Sequence, residues 1–132
     1  MKPQATFMRT DDALFAFLAD ELRSVFAPGD RVAIKLHMGE PGNPYFIPAA
    51  FTKRVARCLH DLGASPFVFD SPVVYASPRG SAETYLAAAA AHGYAERALE
   101  CPVVVSNRSV PLEGTRMPYH ACADLRFHLQ QL

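Results

Sequence analysis

The sequence predicts an α/β domain of three layers, α/β/α, around a small, mostly parallel sheet of three or more strands. Three observations predict it. Segments of helical period alternate with short apolar runs bounded by Pro and Gly. A strand, a helix and a second strand fit between Arg31 and Asp70, about forty residues, the size of a βαβ unit whose right-handed crossover makes the strands parallel. Each apolar run then empties into polar residues: His37, Gly39 and Glu40, then Asp70 and Ser71, then Ser106 and Asn107.

The elements follow in order. Thr10 is an N-cap candidate, and Asp11 and Asp12 suit the positive end of a helix dipole. Leu14, Phe15, Leu18, Leu22, Val25 and Phe26 recur at helical spacing until Pro28-Gly29 stops the helix. The first strand is expected over Arg31–Met38, with Val32, Ile34, Leu36 and Met38 on one face and Ala33, Lys35 and His37 on the other. Pro48 is preset to start a second helix, whose stripe is Phe51, Val55, Leu59 and Leu62 and whose end is Gly63. Pro66–Phe69, closed by Asp70, is the second strand. Ser81 caps a third helix with Glu83 in its first turn, an alanine-rich body at 87–91 and Gly93 at its end. Pro102–Ser106 is the third strand, and a helix is expected over Pro118–Leu132.

At 132 residues the chain reads as one domain, 1–132, able to build a core without disulfides. Its formal charge of +0 and scattered Lys and Arg give no electrostatic footprint for nucleic acid or a membrane surface. Cys58, Cys101 and Cys122 form no CxxC pair. That argues against a disulfide framework and against a self-contained zinc or iron–sulfur site, and fits a reducing, cytoplasmic setting. The apolar stretch at 13–19 follows two aspartates and is short, so neither a signal peptide nor a membrane span is expected.

Ligands in open parallel sheets bind outside the carboxyl ends of the strands, and the candidate site is placed there. His37, Glu40 and Asp70 are the residue types that hold a divalent metal; the plain alternative is that His37 bonds a loop carbonyl and the carboxylates cap turns. Lys35 is a candidate to pair with Asp70 or to hold an anionic group, against simply reaching solvent along its stem. The loop at Gly39–Gly42 is a weaker anion candidate, since Pro41 and Pro44 remove two donors and no P-loop pattern is present. Tyr75 and Arg79 are ligand candidates from the second loop, Arg79 as a carboxylate or phosphate clamp or as an exposed charge ahead of a helix. His120 and Cys122, two apart, make a poor chelate; His60, His92 and His128 read as surface or helix-end residues.

Val32-Ala-Ile-Lys-Leu-His-Met-Gly-Glu-Pro-Gly-Asn43 with Ile47-Pro48, Leu62-Gly-Ala-Ser-Pro-Phe-Val-Phe-Asp70, Tyr75 with Arg79-Gly80, and Ala91-His-Gly-Tyr94 before Cys101-Pro-Val-Val-Val105 resemble, in that order, the uncharacterised family described as domain of unknown function 362. The resemblance covers about residues 30–106 and implies an α/β domain in a bacterial or archaeal cytoplasm. Members are often described as iron–sulfur centre proteins because many carry a ferredoxin-type module, so a ferredoxin-type partner is implied. Two departures stand out: members are longer, with a later His- and Gly-rich half, and this chain lacks clustered cysteines. It is expected to be a truncated piece, a degenerate copy or one half of a two-chain protein. A small sheet also has open edges, from which a homodimer or a partner chain is expected. Two functions remain open: a domain binding a small anionic ligand or divalent metal, or a non-catalytic module docking onto an electron-transfer partner or second chain through an apolar face such as the 87–91 helix.

Overall fold

A computed structural model describes residues 5–106. The order is α1 (Asp12–Val25), β1 (Arg31–Lys35), α2 (Ala49–Asp61), β2 (Ser65–Asp70), α3 (Ala82–Ala91), α4 (Glu96–Leu99) and β3 (Val103–Val105). The strands form one sheet of order β1-β2-β3, both pairs parallel. Arg31 stands opposite Ser65 and Lys35 opposite Phe69; Asp70 stands opposite Val105. All the carboxyl ends therefore lie along one rim. The parallel α/β class and the small sheet are as the sequence predicts.

Helices meet the sheet face that carries Val32, Ile34, Val68, Val103 and Val105. Leu22 of α1, its C-cap Phe26 and Leu59 of α2 close over Val32, while Ala56, Tyr85, Ala89 and Leu99 close over Val68 and Val105. Phe67 and Phe69 are buried on the other face beside Ala33 and Val104. Among the described residues no helix contributes to that second cluster, so the expected layer on that side is not found there. The reason is topological. Right-handed crossovers that step across a sheet in one direction leave their helices on one side, and the order β1-β2-β3 never reverses.

Local differences have local causes. Asp11, not Thr10, caps α1, its carboxylate accepting from the Ala13 and Leu14 amides at 3.1 and 3.4 Å. β1 ends at Lys35 instead of Met38 because β2 offers little more to pair with: the Leu36 amide still donates to Phe69 O at 3.3 Å, and Gly39 then turns the chain at φ +96. Alternation outlasts the strand, since Leu36 and Met38 are buried and Lys35 and His37 exposed. α2 buries Thr52, Ala56 and Leu59, one step round from the expected stripe. Small side chains sit nearest the sheet, and Phe51 turns to Phe15 of α1, ring centroids 5.1 Å apart. α4 is too short to leave a periodic signal. The expected 118–132 helix and Asn107, His120, Cys122 and His128 lie outside the described residues. No helix of the described residues is long and apolar enough to cross a membrane.

Candidate functional site

Two loops meet at the carboxyl rim: residues 36–48 after β1 and 71–81 after β2. Glu40 joins them. Its carboxylate accepts from Ser77 Oγ, from Arg79 Nε at 2.5 Å and from the Tyr75 hydroxyl at 3.3 Å. The Ser77 hydroxyl, with Arg79 and Tyr75, holds the Glu40 carboxyl below its ordinary value although burial pulls the other way.

Arg79 is 3% exposed. Its guanidinium fans out over three partners, donating to Glu40, to the Tyr75 hydroxyl at 2.6 Å and to the Tyr85 hydroxyl at 3.3 Å. Burial opposes the charge, but the bonds to Tyr85 and Glu40 outweigh it and keep the group fully cationic. The sequence offered Arg79 as a ligand clamp or an exposed charge; it is neither exposed nor free, because Glu40 and two phenols occupy its fork.

Tyr85, on the buried face of α3, ties this cluster to the sheet. It donates to Asp70 Oδ2 and accepts from the Met38 amide at 3.2 Å. Burial, then the bond to Asp70, pushes its phenol up. Asp70 also takes Lys35 Nζ on Oδ1 at 2.6 Å. Lys35, at 58% exposed, is the outermost member of the series.

His37 does not join Asp70. It is exposed, and its Nδ1 accepts the Gly39 amide at 3.0 Å. A neutral imidazole that accepts at Nδ1 carries its proton on Nε2, so its outward nitrogen is a donor. The metal set His37–Glu40–Asp70 is therefore not assembled. Each carboxylate is turned to its own cation, the imidazole presents the wrong polarity, and among the described residues no group of three or more His, Cys, Asp or Glu is placed to hold a metal ion. Within the Gly39–Gly42 loop the Gly39 amide is spent on His37, and just after it the Asn43 amide donates to Glu40 O at 3.0 Å and the Tyr45 amide to Asn43 Oδ1 at 2.8 Å.

Gly39 is fixed by close approach as well as by φ. A Cβ there would stand 2.5 Å from His92 Nδ1 and 3.0 Å from the Phe46 ring. His92, at the C-cap of α3, stacks on Phe46 at 4.5 Å and bonds Met38 O at 3.0 Å. Tyr94 reaches Ile47 O and lies 3.4 Å from Thr52 Oγ1. The β1–α2 loop is thus pinned along its length. Ser77, Tyr85 and His92 were missed as site-building residues. Tyr85 had a signal, being a phenol four residues after a cap and inside an alanine-rich helix, where its hydroxyl must find a partner.

The 35–105 stretch that builds the rim also carries the recognisable sequence pattern. A family model, "Domain of unknown function (DUF362)", matches residues 32–123. The chain belongs to that family. The match begins at Val32, the first buried residue of β1, and takes in every residue of the DUF362 rim described above. No curated protein and no solved structure matches the chain. The family description states no activity, so the chemistry of this DUF362 rim rests on its own residues. Two groups there still face outward with capacity to spare: Lys35 and His37. On the outer side of α3, Ala87, Ala90 and Ala91 are exposed, so the alanine face named from the sequence is not packed internally.

Proposed function

We propose that the carboxyl rim of β1 and β2 binds a small anionic ligand, with Lys35 and His37 as the contacting side chains. The observation that carries this reading is the Gly39 amide on His37 Nδ1, which makes the exposed Nε2 a donor. Lys35 lies two residues away on the same exposed register. An ammonium has three donors, and Asp70 takes one, which leaves the others for a ligand. Asp70 is the positioning group, since a buried carboxylate fixes where the flexible lysine stem ends. Glu40, Arg79, Tyr75 and Ser77 hold the two loops in place and make no ligand contact. The donor-only surface favours an anion over a divalent metal.

The test is a calorimetric titration with inorganic phosphate and with malonate at low, fixed ionic strength, because salt screens such contacts. Saturable binding is expected. Lys35→Met and His37→Ala should each weaken it by about tenfold or more, the worth of one charge-assisted bond. An absence of saturable binding to either anion, or binding by both variants as tight as the wild type's, overturns the reading.

A second reading has its own support. Tyr45 and Val74 are 91% and 97% exposed on the two clamped loops, and large apolar side chains held open on ordered loops suit a docking face for another chain. Paired Tyr45→Ser and Val74→Ser changes should abolish any self-association or ferredoxin-type partner binding seen by sedimentation while sparing phosphate binding. Unchanged association removes this reading.

A further inference from the structure

The backbone of β1 has one side that no described residue uses. The Ser65 amide donates to Asp30 O at 2.7 Å, and the Leu36 amide donates to Phe69 O at 3.3 Å. Along a parallel strand alternate residues face a given neighbour, so Val32 and Ile34 join Asp30 and Leu36 in facing β2. Arg31, Ala33 and Lys35 turn their amides and carbonyls to the opposite edge. β1 ends the strand order, and among the described residues nothing bonds those groups.

Edge strands are normally blunted by proline, a bulge or outward charge. β1 has neither proline nor bulge: it pairs without interruption from Arg31 to Lys35, and its centre is Val-Ala-Ile. Its two cations, both exposed, stand either side of that centre and lean over their own sheet. The Arg31 guanidinium lies 4.5 Å above the Phe67 ring, and Lys35 is bonded to Asp70. Val32 is buried although it lies on an outermost strand.

We propose that the free edge of β1 takes up an extended strand from a different polypeptide, acidic opposite Arg31 and Lys35 and apolar opposite Ala33. Charge decides against a second copy. An antiparallel β1–β1 pair centred on Ala33 sets Arg31 against Lys35 of the other chain at both ends, and like charges directly opposite destabilise a sheet. A strand with two carboxylates at those positions turns the same geometry to advantage, with main-chain bonds supplying affinity and the alternate side chains selectivity. This inference shares Lys35 with the anion reading but is separable from it, because its main-chain bonds run through Ala33, which no anion contact uses.

The test uses the full chain and a synthetic peptide, acetyl-Val-Glu-Val-Val-Val-Glu-Val-amide, against the same peptide with lysine for glutamate. The glutamate peptide should saturate and slow hydrogen exchange at the Arg31, Ala33 and Lys35 amides; the lysine peptide should bind about tenfold more weakly or worse. Ala33→Pro removes an edge donor without touching the β2 ladder. It should lose the peptide and keep phosphate binding. Should that variant not fold, Arg31→Glu should narrow or reverse the preference between the peptides. Equal binding of both peptides, no binding of either, or protection of the three amides that rises with protein concentration alone overturns the proposal.

Discussion

Glu40 at the sheet rim and Glu100 at the end of α4 each gather cationic and polar donors from another segment of the chain. Glu100 takes Lys53 Nζ at 2.8 Å and Arg57 at 3.3 Å, joining α4 to α2, while His60 lies 3.1 Å from its carbonyl. Glu40 takes Ser77, Arg79 and Tyr75, joining two loops. The difference lies in the cation. Arg57 is 58% exposed and has water as an alternative partner; Arg79 is 3% exposed and has none. An exposed pair adds little to stability, whereas a buried cation enforces its surroundings because losing a partner strands it. The rim is therefore the rigid part of this surface, and Lys35 and His37 are presented from a fixed base.

Arg79→Met is the largest break in that contrast. It strips Glu40, Tyr75 and Tyr85 of a common donor and should cost about 3 kcal/mol or more in urea unfolding. Arg57→Met should move the melting temperature by an amount near the error of calorimetry, since Lys53 still serves Glu100. Equal effects would mean that the buried and exposed clamps do the same job. Next comes Gly39→Ala, expected to cost about 1–3 kcal/mol through its positive φ and the approach of His92. Gly42→Ala isolates the first part, because at φ +84 it has nothing within 4 Å. The gap between the two variants measures how hard His92 presses the rim loop. Tyr85→Phe should follow at about 1–2 kcal/mol, having orphaned the Met38 amide and one oxygen of Asp70.

The same comparison explains what the sequence could carry. The β1–α2–β2 order was legible because Val32, Ile34 and Leu36 alternate, Pro48 opens α2 and Gly63 closes it; these are local signals. Lys35 and Asp70 were legible as partners because both end neighbouring parallel strands. Glu40 and Arg79 were marked as reactive groups, but that each satisfies the other depends on two loops meeting across 39 residues, which no local pattern encodes. The inward face of α2 was misjudged for a similar reason. Phe51 is more apolar than Thr52, yet the nearness of α1 draws the ring outward and leaves the sheet to the smaller side chain.

The smallest effect is also the cleanest test of what exposure does. Lys53 and then Arg57 lower the Glu100 carboxyl from an ordinary 4.5 to about 2. A depressed carboxyl stabilises the fold above its unfolded-state value and loses that contribution as pH falls through the folded one. The stability difference between wild type and Glu100→Gln should therefore be level above about pH 5, shrink from 4.5 downwards and vanish near 2. Added salt should flatten it throughout, since these charges are in reach of counter-ions. The Glu40→Gln difference runs in the same direction, because the Glu40 carboxyl is also held low, but salt should barely change it, since Ser77 and Tyr75 are uncharged donors and Arg79 is out of water. Matched salt responses in the two series would show that Glu40 is an ordinary surface pair, and the rim would lose its claim to be a rigid base for Lys35 and His37.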